Sequence, residues 1–397
     1  MKLNVAVIFG GRSCEHDVSV ITGIQLMDNA DTEKYNMIPV YIDGGGVWYT
    51  GEPLRDINFM KRFNAADKRV SRVALTPDPT VKALIELKRG GMFSKAKSWR
   101  IDAVIPALHG VNGEDGSIQG LLELSDIPYT SCGVLSSSVG MDKIIMKDVF
   151  MANGFPVLPS RYYDRGSWRS RQEELLEDAE KALGYPVFVK PSNLGSSIGI
   201  SRADNREQLK AAMDTAFEFD RRVLVEKGLD KPKEVNCSAM GFMDEVAVSV
   251  CEMPVSWDKF LSFGDKYLRG GKGEAGMAAL QRQIPAPIPD DMTAQIQSLT
   301  KQVFKALDCC GVVRIDYLID EDDNVFIGEI NTQPGSFSFY LWEPTGLSYS
   351  ALIDKLITLA FDANKEKNQS SYAFESDILA KAYTGSKASG MKTGKKV

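Results

Sequence analysis

Two alternating segments joined by an acidic turn, at residues 311–331, constrain the fold more than any other stretch of this chain. GVVRIDYLID and NVFIGEIN each alternate apolar and polar residues, which is the two-residue period of a β-strand. The acidic turn between them folds the second strand back on the first. The segment therefore predicts an antiparallel hairpin with Asp316 opposite Glu329 and Arg314 near Asn331.

The polar side chains of this hairpin predict a cation site. Regular alternation gives each strand one shared face: Arg314, Asp316 and Leu318 on the first strand, and Val325, Ile327, Glu329 and Asn331 on the second. Carboxylate and amide oxygens are ligands that Mg²⁺ takes, usually together with phosphate oxygens of a substrate. A solvated, salt-bridged hairpin is the alternative, although the strongly apolar flanks favour partly buried carboxylates that require compensation.

The first part of the chain alternates strands with helices. LNVAVIF, YNMIPVYID and IDAVIPALHG are apolar strands, and helical segments follow the first and the third. This alternation predicts an α/β domain over residues 1–130, with a parallel sheet and ligand loops at the strand ends. The loop FGGRSCEHDVS lacks the GxGxxG pattern, which excludes a dinucleotide site. Its Glu15 lies at a helix start, where it could bind an ammonium group or cap the helix.

From about residue 140 the pattern changes to helices mixed with antiparallel strands. GYPVFVKP and RRVLVEKG are strands, EVNCSAMGF and DEVAVSVCEM pair around a short turn, and LSYSALIDKLITLAFDANK is a terminal amphipathic helix. We divide this part into a central subdomain over residues 131–245, a second α+β subdomain over 246–365, and a flexible basic tail over 366–397.

Composition excludes several functional classes. The formal net charge of -6 argues against a nucleic-acid binder, and neither a signal segment nor a bilayer-spanning apolar run occurs. The six cysteines are scattered without a CxxC pair, which is typical of reduced thiols in a cytoplasmic protein. With only two histidines, His16 and His109, the chain has little material for a zinc site or a histidine-based triad.

A Gly/Ser-rich loop predicts phosphate binding. In GYPVFVKPSNLGSSIGIS an apolar strand ends in Lys190, and Ser196, Ser197 and the neighbouring amides follow as donors with little steric bulk. The loop is not a Walker A motif, because no GK[ST] occurs there. A Gly/Ser turn between strands is common, but together with the carboxylate hairpin it supports a nucleoside triphosphate site.

Taken together, the motifs resemble the D-alanine–D-alanine ligase family of ATP-grasp enzymes. The matching stretches are VAVIFGGRSCEHDVS, ALHGVNGEDGSIQGLLELSDIPYTSCG, MDK, GYPVFVKPSNLGSSIGIS, VLVEKG, GDKY, RIDYLI and EINTQPG, in this order over residues 3–365. The resemblance implies an α/β N-terminal domain plus α+β ATP-grasp domains, with the nucleotide held between two antiparallel sheets. It also implies ATP-dependent ligation of two D-alanines through an acyl phosphate for peptidoglycan precursors, by a cytoplasmic homodimer.

The resemblance assigns a role to each site residue. Lys143 and Lys190 would contact the phosphates of the nucleotide, with Ser197 beside them, and Lys266 would contact the γ-phosphate. The adenine would be held by Glu226, Lys227 and Leu229, and the ribose by Glu234. Two Mg²⁺ ions, or Mn²⁺ in their place, would be held by Asp316, Glu329 and Asn331. Glu15 would bind the ammonium group of the first amino acid, and Ser196 and Tyr267 would be linked to Glu15. His109 would lie near the first amino acid. Arg314 and the Gly335 amide would stabilise the oxyanion.

Two segments bear on the second, acceptor amino acid. LRGGKGEAGMAALQRQ, residues 268–283, is Gly-rich and polar, as a mobile lid would be, and it lacks the histidine of D-lactate-using relatives, which favours an amine acceptor. Between Gly335 and Gly346 the chain has SFSFYLWEPT, shorter than in typical members of the family. Ser336 or Ser338 could replace a missing carboxylate-binding hydroxyl. The aromatic residues could pack as core, or could line a pocket for a larger or less polar amine: Phe337, Phe339, Tyr340 and Trp342.

Three functions remain open at this stage. The leading one is a ligase that forms D-alanyl-D-alanine. The second keeps the chemistry but takes a different amine acceptor, giving another dipeptide or amide. The third is a nucleotide- or amino-acid-binding protein without turnover, which is disfavoured because the charged residues that the chemistry needs are all present.

Overall fold

A seven-stranded sheet forms the N-terminal part of the molecule. In the computed structural model, the described residues are 2–87, 96–195, 198–254, 282–371, 376 and 378–379. The strands of this first sheet are β1 Leu3–Gly10, β2 Tyr35–Ile42, β3 Trp48–Thr50, β4 Ser71–Leu75, β5 Ala83–Glu86, β6 Ser98–Arg100 and β7 Ala103–Pro106. They lie in the order β6-β5-β4-β3-β2-β1-β7.

This first sheet is only partly parallel. β1 is parallel to β2 and to β7, whereas every pairing from β2 to β6 is antiparallel. The predicted α/β character is confirmed, but the expectation of a parallel sheet is wrong for β3 to β6. Antiparallel neighbours can be joined by short loops, whereas a parallel neighbour requires a long crossover connection.

Helices cover this sheet and the two that follow. Their bounds are α1 His16–Asn29, α2 Ile57–Met60, α3 Ser117–Leu124, α4 Val134–Met141, α5 Lys143–Ala152, α6 Arg165–Leu183, α7 Arg206–Phe219, α8 Asp290–Ala306, α9 Phe339–Trp342 and α10 Tyr349–Lys367, with 3₁₀ turns at Glu52–Arg55 and Glu343–Thr345. The predicted terminal helix is confirmed as α10, which shares the apolar core beside β1. Within the described ranges, no helix has both the length and the apolarity needed to cross a bilayer.

The second sheet has four antiparallel strands. They are β8 Ser160–Asp164, β9 Val187–Pro191, β10 Ser201–Ala203 and β11 Arg222–Lys227, in the order β10-β9-β11-β8. Alternate residues such as Val189 and Val225 pack against α6 and α7. The residues between them point to the opposite face, which therefore carries Lys190 and Glu226 on neighbouring strands.

The third sheet has five antiparallel strands. They are β12 Lys233–Phe242, β13 Glu245–Pro254, β14 Arg282–Gln283, β15 Gly311–Ile319 and β16 Val325–Asn331, in the order β14-β13-β12-β15-β16. The predicted pairing of EVNCSAMGF with DEVAVSVCEM is confirmed as β12 and β13. These two strands lie on either side of the proposed subdomain boundary at residue 245, yet they belong to the same sheet. The sheet therefore extends across that boundary, and the division into subdomains stays a prediction.

One face of the third sheet is apolar and the other carries a polar row. Ile315 and Tyr317 pack with α8 in the core. On the other face, Asn236 is the partner of both Glu252 and Asp316, and Asp316 is in turn the partner of Glu329. Side chains of directly paired residues stand about 5 Å apart at their Cβ atoms, so this row forms one continuous polar surface across four strands.

A β-bulge in β16 changes one prediction about the hairpin. The predicted pairs Arg314 with Asn331 and Asp316 with Glu329 are confirmed, but the register shifts between Asp316 and Tyr317. Regular alternation predicts Val325 and Ile327 on the face of Glu329, and this is wrong: they lie in the apolar core together with Ile330. The extra residue, Gly328, breaks the two-residue period and leaves Glu329 on the polar face.

Candidate active site

The centre of the site is a fork between Arg314 and Asp316 on β15. Arg314 donates two hydrogen bonds to the Asp316 carboxylate, from Nε at 2.7 Å and from a terminal nitrogen at 2.8 Å. Asn331 adds a third, from Nδ2 at 3.1 Å. Burial alone would lower the pKa of Arg314, but the Asp316 carboxylate outweighs it and raises that pKa above its usual value. The guanidinium therefore remains charged.

The oxygen atoms on this hairpin fit a divalent cation. Asp316, Glu329 and Asn331 supply two carboxylates and one amide, which are the hard ligands that Mg²⁺ prefers. In the described part of the chain, no three His, Cys, Asp or Glu side chains are grouped to hold a metal. A Mg²⁺ ion here would therefore need ligands beyond the two carboxylates, as is usual where substrate phosphates take part.

Lys143 reaches the hairpin from helix α5. Its Nζ lies 3.3 Å from Glu329 Oε2 and donates to the carbonyl oxygen of Leu194 at 2.8 Å. Asp142 caps α5 by accepting from the amides of Ile144 and Ile145 at 3.2 Å each, which fixes the start of the helix and hence the position of Lys143. The structure thus brings a cation from α5, the Leu194 loop and the carboxylate hairpin together.

Glu226 is buried on the second sheet between two lysines. Its carboxylate forms ion pairs with Lys190 and with Lys147 of α5. Burial would raise the pKa of Glu226, but the charges of the two lysines outweigh it and lower that pKa to about 2. Sequence reasoning missed Lys147. The available signal was its spacing, because Lys147 follows Lys143 by four residues and shares its helix face.

The other residues assigned to the nucleotide lie on the second and third sheets or in the loop that joins them. Lys227 Nζ donates to the carbonyl oxygen of Tyr185 at 3.0 Å. Leu229 and Glu234 are half-buried, and Glu234 lies on β12 opposite Leu318. Four predicted site residues lie outside the described residues: Ser196, Ser197, Lys266 and Tyr267. Of the predicted lid, the described part is Arg282 and Gln283.

Glu15 lies at the end of the first βα loop, close to two other loops. Its side chain makes no capping hydrogen bond to α1, so helix capping does not explain it. A Cβ built on Gly110 would lie 2.6 Å from Glu15 Oε2, and one built on Gly195 would lie 3.1 Å away. Both backbones therefore approach the carboxylate closely. Gly195 belongs to the Gly/Ser loop. The loop predicted to bind phosphate therefore lies beside the carboxylate predicted to bind the first amino acid.

Glu114 is a second carboxylate at this place, and sequence reasoning missed it. It accepts a hydrogen bond from the Gly110 amide at 2.7 Å. Burial and the charge of Glu15 raise the pKa of Glu114 well above its usual value. The sequence signal that could have identified Glu114 was its position in GEDG, which is part of a stretch that resembles the family.

His109 is buried beside α1 rather than open to solvent. Its Nε2 lies 3.0 Å from Thr22 Oγ1, and burial lowers the pKa of His109 to about 4. The imidazole is therefore neutral at pH 7. Gln333, just after β16, donates to the carbonyl oxygen of Leu108 at 2.5 Å. Through this contact, the loop that carries Gly335 is attached to the loop that carries His109.

The segment after Gly335 is a left-handed turn made by three residues that are not glycine. Ser336, Phe337 and Ser338 have φ angles of 48°, 55° and 50°. Ser336 Oγ donates to Gln25 Oε1 of α1 at 2.6 Å, while Ser338 is fully buried. This turn contacts β15 as well as α1. Residues of this kind are sparse in the left-handed region, and they cluster at functional sites.

The aromatic residues of this segment divide between core and site. Phe337 and Trp342 are buried in the core beside β1 and α10, and Phe339 stacks on Tyr349 at 4.5 Å between ring centroids. Tyr340 instead donates its hydroxyl to Glu252 at 3.0 Å. The Arg282 guanidinium lies 3.7 Å from the centroid of the Tyr340 ring.

Fold and site together define an ATP-dependent ligase of the ATP-grasp type, with two antiparallel sheets that carry facing cations and carboxylates. The chain belongs to the D-alanine–D-alanine ligase family, because the models for "D-ala D-ala ligase N-terminus" and "D-ala D-ala ligase C-terminus" match residues 4–132 and 149–358. The resemblance and the fold class inferred from the sequence are thereby confirmed.

Individual relatives agree with this assignment. A D-alanine–D-alanine ligase of Heliobacterium modesticaldum is 40% identical over 374 residues, which cover 93% of this chain and 97% of the relative. Among solved structures, the VanG D-Ala:D-Ser ligase of Enterococcus faecalis matches with a TM-score of 0.77 at 31% identity, covering 91% of this chain and all of that one. The D-alanine–D-alanine ligase of Coxiella burnetii matches with a TM-score of 0.76 at 26% identity over 98% of this chain and 99% of that one.

Proposed function

We propose that this protein joins two D-alanines into D-alanyl-D-alanine with ATP, through an acyl phosphate, to supply peptidoglycan precursors. The observation that carries the proposal is the Arg314–Asp316 fork, flanked by Glu329 and Asn331, with Lys143 reaching Glu329 across the gap. A carboxylate is a poor acyl donor, so its activation by ATP requires this concentration of cations and oxygen ligands.

The residues divide the first half-reaction among them. Glu15 would accept the ammonium group of the first D-alanine and so orient its carboxylate towards the γ-phosphate. Lys143, Lys190 and Lys266 would neutralise the phosphates as the carboxylate oxygen attacks and ADP leaves. Two Mg²⁺ ions, or Mn²⁺, held by Asp316, Glu329 and Asn331, would add charge neutralisation at the transferring phosphoryl group.

The second half-reaction forms the peptide bond. The amine of the second amino acid attacks the acyl carbon, and negative charge develops on the carbonyl oxygen before phosphate leaves. Arg314 and the Gly335 amide would stabilise that charge, because a preorganised donor acts most strongly where charge appears. Glu226, Lys227 and Leu229 would hold the adenine and Glu234 the ribose, with Ser196, Ser197 and Tyr267 completing the phosphate and first-substrate contacts.

A second candidate keeps this chemistry but changes the acceptor. The observation that favours it is the left-handed turn after Gly335, in which the Ser336 hydroxyl is bonded to Gln25 and Ser338 is fully buried. In this turn neither serine presents an open hydroxyl to an acceptor carboxylate. The match to a ligase described as D-Ala:D-Ser also shows that the acceptor varies among proteins of this fold.

One experiment separates the candidates, namely acceptor-dependent release of ADP with D-alanine alone and with a panel of second amino acids and amines. Release with D-alanine alone supports the first function. Release that requires another acceptor supports the second. Binding of ATP without release under any condition would contradict both and leave a non-catalytic binding protein.

Location and assembly complete the proposal. We place the enzyme in the cytoplasm, where ATP is available, and propose a homodimer from the family resemblance. Light scattering of the purified protein measures the assembly directly, and a monomer mass at micromolar concentration would contradict the dimer.

A further inference from the structure

Two lysines of unequal exposure hold the carboxylate of Glu226. Lys147 contacts Oε1 and its side chain is 2% exposed, whereas Lys190 contacts Oε2 and its side chain is 18% exposed. Lys147 lies one helical turn after Lys143, so α5 directs one lysine to the third sheet and the next to the second sheet. Glu226 itself is 2% exposed.

The two lysines differ in what they can do when a nucleotide binds. Lys190 is the more exposed of the two and stands at the start of the loop proposed to contact the phosphates, which would draw its charge away from Glu226. Lys147 is enclosed, and its Nζ has the carbonyl oxygen of Leu158 as a further partner at 3.4 Å. A buried carboxylate remains ionised only while a cation compensates it. With Lys190 engaged by phosphate, that cation is Lys147.

We propose that Lys147 is a positioning residue for base selection, which keeps Glu226 an ionised and fixed hydrogen-bond acceptor for the exocyclic amino group of the nucleotide base. This inference rests on the proposed function, because the role of Glu226 at the base comes from it. An ionised carboxylate only accepts hydrogen bonds, whereas a protonated one can also donate. The pair therefore selects a base with an amino donor at this position and rejects one with a carbonyl oxygen there.

The sharpest test compares ATP with purine riboside triphosphate, which lacks the amino group, and with GTP, which carries an oxygen in its place. We expect the unmodified protein to use ATP with a kcat/KM at least about tenfold above either analogue. Lys147→Met should remove most of this preference by raising the KM for ATP about tenfold, with kcat at saturating ATP changing less than about threefold. Lys147→Arg, which keeps a cation, should retain the preference.

Lys210→Met is the matched control. Lys210 lies on α7 against the same sheet, where its Nζ donates to Gln172 at 2.7 Å and lies over the Trp168 ring. This variant should keep both the KM for ATP and the preference over the analogues. A folded Lys147→Met protein with the unmodified preference would overturn the inference, since a merely structural lysine would change stability without changing base selection.

A second measurement covers the case in which Lys147→Met alone fails to fold. Glu226→Gln removes the buried carboxylate, and the double variant with Lys147→Met removes the buried Lys147 cation as well, so the double variant leaves neither charge of this pair uncompensated. The affinities of both variants for the ATP analogue AMP-PNP can be measured by calorimetry. We expect Glu226→Gln to weaken binding about tenfold and the added Lys147→Met to change it less than about twofold. A further tenfold loss in the double variant would show that Lys147 acts independently of Glu226, which contradicts the inference.

Failure of the inference and failure of the proposed function give different results. If no acceptor supports ADP release, the ligase function fails, while AMP-PNP binding by the same variants still tests Lys147. If ligation occurs but Glu226→Gln binds AMP-PNP as tightly as the unmodified protein, the ligase function stands and base selection through Glu226 is wrong.

Discussion

Asp316 and Glu329 are direct partners across the β15–β16 hairpin, and the bulge at Gly328 keeps both on the polar face of the sheet. If the strand alternated regularly through Gly328, Glu329 would share the face of Ile327 and lie in the apolar core. The backbone irregularity is therefore what places the second carboxylate beside the first.

Glu329→Gln should abolish turnover with little effect on folding. The change removes one of two carboxylates proposed to hold Mg²⁺, so we expect kcat to fall at least about a hundredfold. The lost contact with Lys143 is 3.3 Å long and the Glu329 side chain is 38% exposed, so the free energy of unfolding should change by no more than about 1 kcal/mol. The matched change Asp323→Asn, in the exposed turn of the same hairpin, should leave turnover unaltered. Turnover near the unmodified level in Glu329→Gln would remove the metal assignment.

Arg314→Lys should lower kcat although it preserves the charge. A lysine cannot reproduce the two parallel hydrogen bonds that Arg314 donates to Asp316. The oxyanion would lose a fixed donor, so we expect a loss of about a hundredfold in kcat. Steady-state kinetics at saturating ATP and D-alanine measures it, with Arg206→Lys on α7 as the control. A loss of less than about threefold would show that Arg314 does not face the reacting oxygen.

Replacement of Ser336 by glycine should leave the folded protein more stable than replacement by alanine. Both changes remove the hydroxyl that donates to Gln25 at 2.6 Å, but only glycine relieves the φ of 48°. We expect Ser336→Gly to be more stable than Ser336→Ala by about 1 kcal/mol in urea unfolding. At the exposed helical residue Ser298 the order should be reversed, because alanine favours a helix. The same order at both positions would contradict the left-handed turn.

His109 should make the protein lose stability as the pH falls. The folded protein resists protonation of His109 down to a pKa of about 4, whereas an unfolded histidine titrates near 6.5. The unfolded state therefore binds more protons in this window, and the contribution of His109 is full above 6.5 and lost towards 4. We expect His109→Gln to remove on the order of 2 kcal/mol of the difference in unfolding free energy between pH 7 and pH 4.5. His16→Gln, which leaves His109 in place, should retain that difference.

The sequence predicted the site better than it predicted the geometry around it. Alternation and the acidic turn were enough to pair Asp316 with Glu329, because register in a short hairpin is set locally. Alternation could not reveal the bulge, since Gly328 fits either a regular strand or an irregular one. The antiparallel strands β3 to β6 were also missed, because neighbour direction depends on pairings distant in the sequence.

Long-range charge pairs were the least accessible to sequence reasoning. Lys147 and Glu226 are separated by most of the second sheet in the sequence, and nothing local shows that a helix lysine will meet a strand carboxylate. The turn after Gly335 was recognised as unusual from its length and its aromatic residues. Its left-handed backbone was not predicted, because serine and phenylalanine do not normally mark such a conformation.

The central claim is that a D-alanine carboxylate is activated by ATP and then captured by an amine. Its most direct test supplies D-alanine with ¹⁸O in both carboxylate oxygens and analyses the products by mass spectrometry. The account predicts D-alanyl-D-alanine together with inorganic phosphate that has gained one ¹⁸O per turnover, because the carboxylate oxygen that attacks the γ-phosphate leaves with it. ADP accompanied by unlabelled phosphate and no dipeptide would contradict the account, since it would mean that water had attacked ATP.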